Sequence, residues 1–106
     1  MKKSRKHQLE AAGFQVGNAA DFLDLNEHER LYLEIRRSLG RLLRQRRREA
    51  DVTQEAFGEA LRLDQSTISR TEKADARVSF DLILSALIAS GATRDEIARA
   101  IQDSAS

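Results

Sequence analysis

The chain has 106 residues, of which 41% are hydrophobic and 33% are charged, a composition typical of one small globular domain and not of a fully disordered chain. It has no cysteine and only two histidines, His7 and His28, so neither a disulfide framework nor a zinc module is expected. No apolar run is long enough for a signal peptide or a membrane span. We expect a cytoplasmic protein that binds no membrane, metal or cofactor.

The net charge is only +1, but the charges are unevenly distributed along the chain. Residues 14–34 contain five acidic residues and one arginine, a formal charge of −4. Residues 35–50 contain seven arginines and one glutamate, a formal charge of +6. Such an arginine block can bind phosphates, or it can be the solvated face of a helix. Composition alone leaves both interpretations open.

The first half of the chain favours helix, because proline is absent and strong helix formers dominate. A short helical turn is predicted at 18–23. Asn26 followed by Glu29 has an N-cap pattern, which predicts a long amphipathic helix from that point to about Ala50. Gly40 is its weak point. Its apolar residues recur at helical spacing, at Leu31, Ile35, Leu39, Leu42 and Leu43.

Four shorter helices are predicted in the second half from their capping residues. Thr53 caps a second helix, Asp64 a third and Ser79 a fourth. Thr93 and Glu96 form a capping box for a fifth. Since strand-type alternation is absent, the predicted fold class is all-α, a compact five-helix bundle with a short N-terminal helical extension.

The predicted domain organisation follows from these elements. Residues 1–15 form a basic flexible tail, 16–26 a short N-terminal extension, and 103–106 a C-terminal tail. Residues 27–102 form the folded domain, with a closely spaced helix pair at about 53–73.

This closely spaced pair, held against a longer helix, has the arrangement of a helix-turn-helix, whose second helix enters the major groove of DNA. Gly58 lies where the third helix crosses closely, and Leu61 and Ile68 are predicted to point inward. The opposite face of the third helix would carry polar side chains that can hydrogen-bond to base edges, namely Gln65, Ser66, Ser69 and Arg70. A solvated face has a similar composition, but the spacing favours DNA reading.

Residues 39–91 resemble the lambda-repressor-like family of helix-turn-helix domains, also called XRE-type or Cro-like, above all in the segments TQEAFGEAL and DQSTISRTE. With the preceding segment VGNAADFLDLNEHE, the chain also resembles short HigA-type antitoxins. The resemblance implies a five-helix lambda-repressor-like bundle and a DNA-binding transcriptional regulator. We expect a repressor that binds a palindromic operator in double-stranded DNA as a homodimer.

The resemblance also implies roles for particular residues. Gln54 would clamp a phosphate and brace Gln65, and Thr67 would contact sugar or phosphate. Arg47 would pair with Glu72 and join the first helix to the end of the third. The implied DNA-binding residues are Gln54, Gln65, Ser66, Thr67, Ser69 and Arg70.

Three features depart from the family pattern. Arg62 stands at the turn where the family commonly has glycine, so a left-handed conformation there would carry a cost. Thr71 occupies a position that is usually larger and apolar. Ala74 and Asp75 replace a common Asn-Gly pair after the third helix. These changes concern the turn geometry and the operator preference more than the fold.

The sequence is compatible with more than one function. An enzyme is not expected, because no nucleophile with a partner and no glycine-rich phosphate loop occurs. The chain could instead be a protein-interaction module on a helix-turn-helix scaffold, or a phage-type stand-alone repressor. A homodimer contact is predicted in the C-terminal half, from the apolar run Leu82 to Ala89 with Ile97 and Ile101. The acidic segment 14–34 would either cap the bundle or bind a basic toxin.

Overall fold

The fold is entirely helical in the part of the chain that the structure describes. The computed structural model describes the backbone of residues 19–103 and the side chains of residues 26–103. Five helices and no strand occur in this part, which confirms the predicted fold class. The helices are α1 (Ala19–Glu49), α2 (Gln54–Leu61), α3 (Gln65–Glu72), α4 (Phe80–Ala89) and α5 (Arg94–Asp103).

Helix α1 starts earlier than the sequence predicted. It runs without interruption from Ala19 to Glu49, so the predicted N-cap at Asn26 and the separate turn at 18–23 are wrong. Asparagine inside a helix costs less than about 1 kcal/mol relative to alanine, and this is too little to end a helix of good helix formers. The predicted end near Ala50 is confirmed.

The chain divides into two compact units, Met1–Leu31 and Tyr32–Ser106. In the first unit the described residues, 19–31, form the beginning of α1. The second unit contains the remainder of α1 and helices α2 to α5. The predicted tails, apart from Asp103 at the end of α5, lie outside the described residues, and the predicted domain boundaries stay predictions.

Helices α2 to α5 begin at the capping residues that the sequence predicted. Thr53, Asp64 and Ser79 each accept a hydrogen bond from the backbone N–H three residues later, at 3.1, 2.7 and 3.0 Å. Thr93 and Glu96 form the reciprocal bonds of a capping box, at 3.0 and 3.1 Å. The caps satisfy N–H groups that have no partner inside their helix, which is why these polar residues fix where each helix starts.

The hydrophobic core lies in the second unit and is built from α1, α2, α3 and α4. Most of the apolar residues that recur at helical spacing in α1 contribute, because Leu39 and Leu43 are completely buried and Ile35 and Leu42 pack partly buried against the core. Leu31, at the same spacing, is 46% exposed. The fully or nearly buried apolar residues are Leu39, Leu43, Phe57, Ile68, Val78, Ile83, Ala86 and Leu87.

Candidate nucleic-acid interface

The turn between α2 and α3 brings two short helices into close contact. Arg62 ends α2 in the left-handed conformation, with φ 60° and ψ 39°, as expected for a residue that replaces the family's glycine. The N–H of Leu63 then donates to the carbonyl oxygen of Gly58 at 2.8 Å. A Cβ atom at Gly58 would collide with the carbonyl oxygen of Leu63. The close approach that requires glycine is therefore to the turn backbone, just before α3, with Ile68 of α3 as a further neighbour.

Helix α3 has a buried face and a polar face. Ile68 is completely buried, as predicted, and Thr71 is also completely buried. The Thr71 hydroxyl donates to the carbonyl oxygen of Thr67 at 2.6 Å. A polar residue is thus accommodated at a position that is usually apolar, because its hydroxyl is satisfied within the helix.

The predicted base-reading residues are placed together on the polar face of α3. Gln65 and Ser66 are exposed at the N-terminal end of the helix, and Ser69 and Arg70 are half-buried farther along it. Thr67, also half-buried, accepts a long hydrogen bond of 3.4 Å from Arg70 Nη2. The N-terminal end of α3 is therefore the part most open to a ligand.

Arg47 and Glu72 lie in contact, where the resemblance placed them. The guanidinium donates twice to the carboxylate, from Nε to Oε2 at 2.6 Å and from Nη2 to Oε1 at 3.1 Å. The side chain of Glu72 is 3% exposed and that of Arg47 is 14% exposed. The hydrogen bonds to Glu72 raise the pKa of Arg47. The pair joins α1 to the last turn of α3.

Two glutamines extend this pair to the exposed end of α3. Gln54 Nε2 donates to Oε1 of Glu72 at 3.2 Å, and Gln65 Nε2 donates to Oε1 of Gln54 at 3.3 Å. An ionised carboxylate only accepts hydrogen bonds, so Glu72 sets the direction of the series. Gln54 must turn its NH₂ group to Glu72, and its oxygen is then left to accept from Gln65. The Oε1 atom and the second N–H of Gln65 stay available.

The two polar groups that Gln65 keeps available match the edge of one DNA base. Adenine presents an N–H donor at N6 and an acceptor at N7 in the major groove, and glutamine can bind both. The pairing uses one amide oxygen and one amide N–H, the two groups that Gln65 retains. The hydrogen-bond series therefore orients Gln65 for this kind of contact before any ligand arrives.

Two acidic side chains near α3 are stabilised in the charged form. Hydrogen bonds from Thr67 lower the pKa of Asp64, the N-cap of α3. Hydrogen bonds from Arg77 hold the pKa of Asp75 well below its usual range. Asp75 follows Ala74, which has the left-handed φ of 52°, so the chain bends directly after α3 at the pair that departs from the family pattern.

Sequence reasoning missed the structural roles of two arginines. Arg36 is 6% exposed, and its Nη2 atom donates to the carbonyl oxygens of Asp75 and Val78 at 3.0 and 2.7 Å. Arg46 donates to the side chain and the carbonyl of Ser90, at 3.0 and 2.8 Å, and to Glu96 at 2.8 Å. Nothing in the sequence near these arginines identifies partners some 40 residues away.

Gly40 was also misjudged. A Cβ atom there would lie 2.8 Å from the carbonyl oxygen of Glu72 and 2.9 Å from that of Thr71, which is closer than real side chains come. Gly40 is therefore where α1 meets the C-terminal end of α3. The apparent weak point of α1 is the residue that permits the contact.

Metal clusters and membrane-spanning helices are both absent from the part of the chain that the structure describes. Between residues 19 and 103, no group of three or more His, Cys, Asp or Glu side chains could hold a metal ion. None of the helices in this range combines the length and the apolar character that a membrane span requires.

The paired helices, their tight turn and the supporting α1 define a helix-turn-helix module. A comparison with protein families agrees, since the family described as "Helix-turn-helix domain", which is XRE-like, matches residues 38–100, more than half of the chain. The chain belongs to this family. Domains of this family are typically non-catalytic and are associated with DNA binding. Neither the curated proteins nor the solved structures gave a match to the chain.

Proposed function

We propose that this protein is a sequence-specific DNA-binding transcriptional regulator that places α3 in the major groove. The observation that carries the proposal is the oriented amide of Gln65, exposed at the start of α3 and connected through Gln54 to the buried Glu72. A solvated polar face does not need a glutamine whose amide is held in one orientation by a neighbouring side chain. The family membership agrees with this function.

The roles of the individual residues follow from their positions. Gln65 and Ser66, being exposed, meet base edges first, and Ser69 and Arg70 reach bases farther along the groove. Gln54, at the positive N-terminal end of α2, clamps a phosphate, and Thr67 contacts sugar or phosphate.

Selection of bound duplexes from a random-sequence DNA pool tests this proposal and yields the operator. On that operator, Gln65→Ala and Arg70→Ala should each weaken binding by roughly 1–3 kcal/mol and relax specificity at one base pair. Gln102→Ala, which removes an exposed glutamine of α5, is the matched control and should change nothing. If both α3 variants lose affinity by the same factor for every DNA sequence, their side chains contact only the sugar-phosphate backbone of the DNA. If the pool yields no preferred sequence, α3 does not read DNA.

We further propose that the protein acts as a homodimeric repressor on a palindromic site, because one recognition helix covers too few base pairs for adequate specificity. The C-terminal half offers a contact surface, since Ile88 on α4 is 61% exposed. Occupying a promoter would then block transcription by steric occlusion. Sedimentation should show a dimer at micromolar concentration or on the operator, and Ile88→Asp should shift it to monomer. A wild-type protein that stays monomeric in both conditions refutes the dimer.

An antitoxin role is a second candidate, and one observation favours it. Tyr32 and Leu33 on α1 are 48% and 45% exposed, and Glu34 follows them at the end of the acidic segment 14–34. Exposed apolar side chains beside acidic ones suit a basic protein partner, since charge speeds association and apolar anchors supply affinity.

The product of the neighbouring open reading frame provides the test of this second role. If it is a small basic toxin, it should co-purify with the full chain, and Leu33→Asp should abolish this while leaving operator binding intact. A neighbour product that does not bind would favour a stand-alone repressor. A partner that binds through α3 instead, with no operator found, would make the chain a protein-interaction module.

A further inference from the structure

The seven arginines of the block 35–50 separate into two groups in the structure. Three of them are used inside the protein: Arg36, Arg46 and Arg47 bind carbonyl oxygens or carboxylates of other segments. The other four are exposed and are called the arginine stripe: Arg37, Arg41, Arg44 and Arg48.

The arginine stripe is a regular surface. Its members are spaced by four, three and four residues, which at about 100° per residue places them within an arc of about 60° on α1. At about 1.5 Å per residue, the stripe is about 16 Å long. It therefore presents four positive charges along one side of one helix.

Within the described residues, none of the ion pairs involves a member of the stripe, although Glu49 lies on the same surface and Glu96 and Asp103 share a cleft with Arg41. Among the described side chains the stripe makes one hydrogen bond, from Arg41 Nη2 to the neutral hydroxyl of Ser38, at 3.1 Å. Like charges three or four residues apart on a helix repel each other, so the arrangement disfavours the isolated fold. An external anion would reverse that effect.

The position of the stripe relates it to the helix-turn-helix. On α1 it lies roughly opposite Arg46, which contacts Ser90 and Glu96, and next to the side that carries Gly40 and Arg47. That neighbouring side meets the C-terminal end of α3. The stripe thus lies between the side of α1 that contacts α3 and a cleft that Arg41 lines together with Glu96 and Asp103 of α5.

We infer that the arginine stripe binds the phosphate backbone of duplex DNA, outside the base pairs that α3 contacts. Guanidinium groups pair with phosphates in bidentate geometry, and a duplex offers about one negative charge per 1.7 Å of its axis. The inference rests on the proposed function and adds to it a sequence-independent contact made by α1.

A DNA backbone fits the stripe better than an acidic protein does. Protein interfaces also use arginine, but together with aromatic or apolar anchors that fill pockets of the partner. The shallow surface along the stripe is lined by polar residues alone, namely Arg41, Arg44, Gln45, Arg48 and Glu49. A uniformly charged polymer needs no such anchor.

The salt dependence of DNA binding tests the inference in the full-length protein. Each phosphate contact contributes about −0.9 to the slope of log K against log salt concentration. The double variants Arg37→Gln with Arg41→Gln, and Arg44→Gln with Arg48→Gln, should each make the slope shallower by about 2 units. They should do so on the selected operator and on an unrelated duplex alike, leaving the ratio of the two affinities unchanged.

A matched control removes one exposed arginine from another helix. Arg94 is exposed on α5, so Arg94→Gln should leave the slope as in the wild type, whereas each single Arg→Gln variant of the stripe should make it shallower by about 1 unit. Glutamine forms helix about as well as arginine, so circular dichroism should show intact stripe variants, with melting temperatures equal to or above that of the wild type.

The possible failures are distinguishable. If the wild type binds no duplex, the proposed function itself is refuted. If the wild type binds its operator and the stripe variants keep its slope, or the control changes as much as they do, only the stripe is refuted. Polyglutamate serves as a model of an acidic protein. If the wild type binds it and the stripe variants lose that binding while keeping the wild-type slope with DNA, the stripe contacts an acidic protein and the inference is also overturned.

Discussion

Removing Arg47 should destabilise the protein more than removing a surface charge does. In Arg47→Met, the carboxylate of Glu72 keeps only the hydrogen bond from Gln54, at 3.2 Å, and loses two shorter ones from the guanidinium. With 3% of its side chain exposed, Glu72 cannot replace them with water. An uncompensated buried charge is the expected result.

The magnitude follows from the burial of the two partners. Breaking a buried ion pair by removing one member costs about 3–5 kcal/mol, whereas exposed pairs contribute about 0.2–1 kcal/mol. Because Arg47 is 14% exposed, we expect Arg47→Met to lose about 2–4 kcal/mol of unfolding free energy. Glu72→Gln should lose less, about 1–3 kcal/mol, since the amide oxygen of the introduced side chain can still accept one bond and Arg47 retains the carbonyl of Val52 at 3.1 Å.

Urea unfolding followed by circular dichroism measures both variants and their combination. The double variant should be less destabilised than the sum of the single variants, with a coupling above about 1 kcal/mol, because either substitution already breaks the same pair. A domain of this size is stable by only about 5–15 kcal/mol, so such losses are well resolved. Single losses below about 0.5 kcal/mol that add without coupling would show that the pair behaves as a surface pair and would refute the reasoning.

The remaining predictions concern the turn and acid stability. Gly58→Ala should lower the free energy of unfolding by about 1–3 kcal/mol, because its Cβ collides with a backbone carbonyl. Helix propensity alone would raise it by up to about 1 kcal/mol, and such a rise would contradict the collision. Arg62→Gly should stabilise by up to about 1 kcal/mol, since it relieves a left-handed residue, and an unchanged urea midpoint would count against strain at the turn. Asp64, Asp75 and Glu96 all have lowered pKa values in the folded state. Their contribution to stability is therefore complete above a pH of about 4 and should be lost as the pH falls below it; unfolding free energies that stay constant down to a pH of about 2 would exclude it.

The sequence predicted the second unit well because local chemistry determines its helix boundaries. A cap such as Thr53, Asp64 or Ser79 acts on an N–H group three residues away, so its effect can be inferred from a few letters. The start of α1 was wrong for a related reason. Asn26 followed by Glu29 is a local pattern of the same kind, but the helix continues through it, since a polar residue can also lie on an exposed helix face.

The roles of the arginines could not be predicted in the same way. The family resemblance implied the partner of Arg47, but Arg36 and Arg46 have partners 39 to 50 residues away that nothing local indicates, and neighbours such as Arg37 and Arg48 have none among the ion pairs of the described residues. All are the same residue type in one short block. Only the contacts of α1 with α3, α4 and α5 separate them, and those depend on the packed fold.

One buried carboxylate connects the fold to the proposed reading of bases. Glu72 holds α1 through Arg47, and through Gln54 it also sets which way the amide of Gln65 points. In Glu72→Gln the introduced amide could donate as well as accept, so the direction of the series would no longer be fixed even if the packing survived. A carboxylate therefore has a property here that its isosteric amide lacks, because it orders the polar groups at the exposed end of α3 while being buried at the other end of that helix.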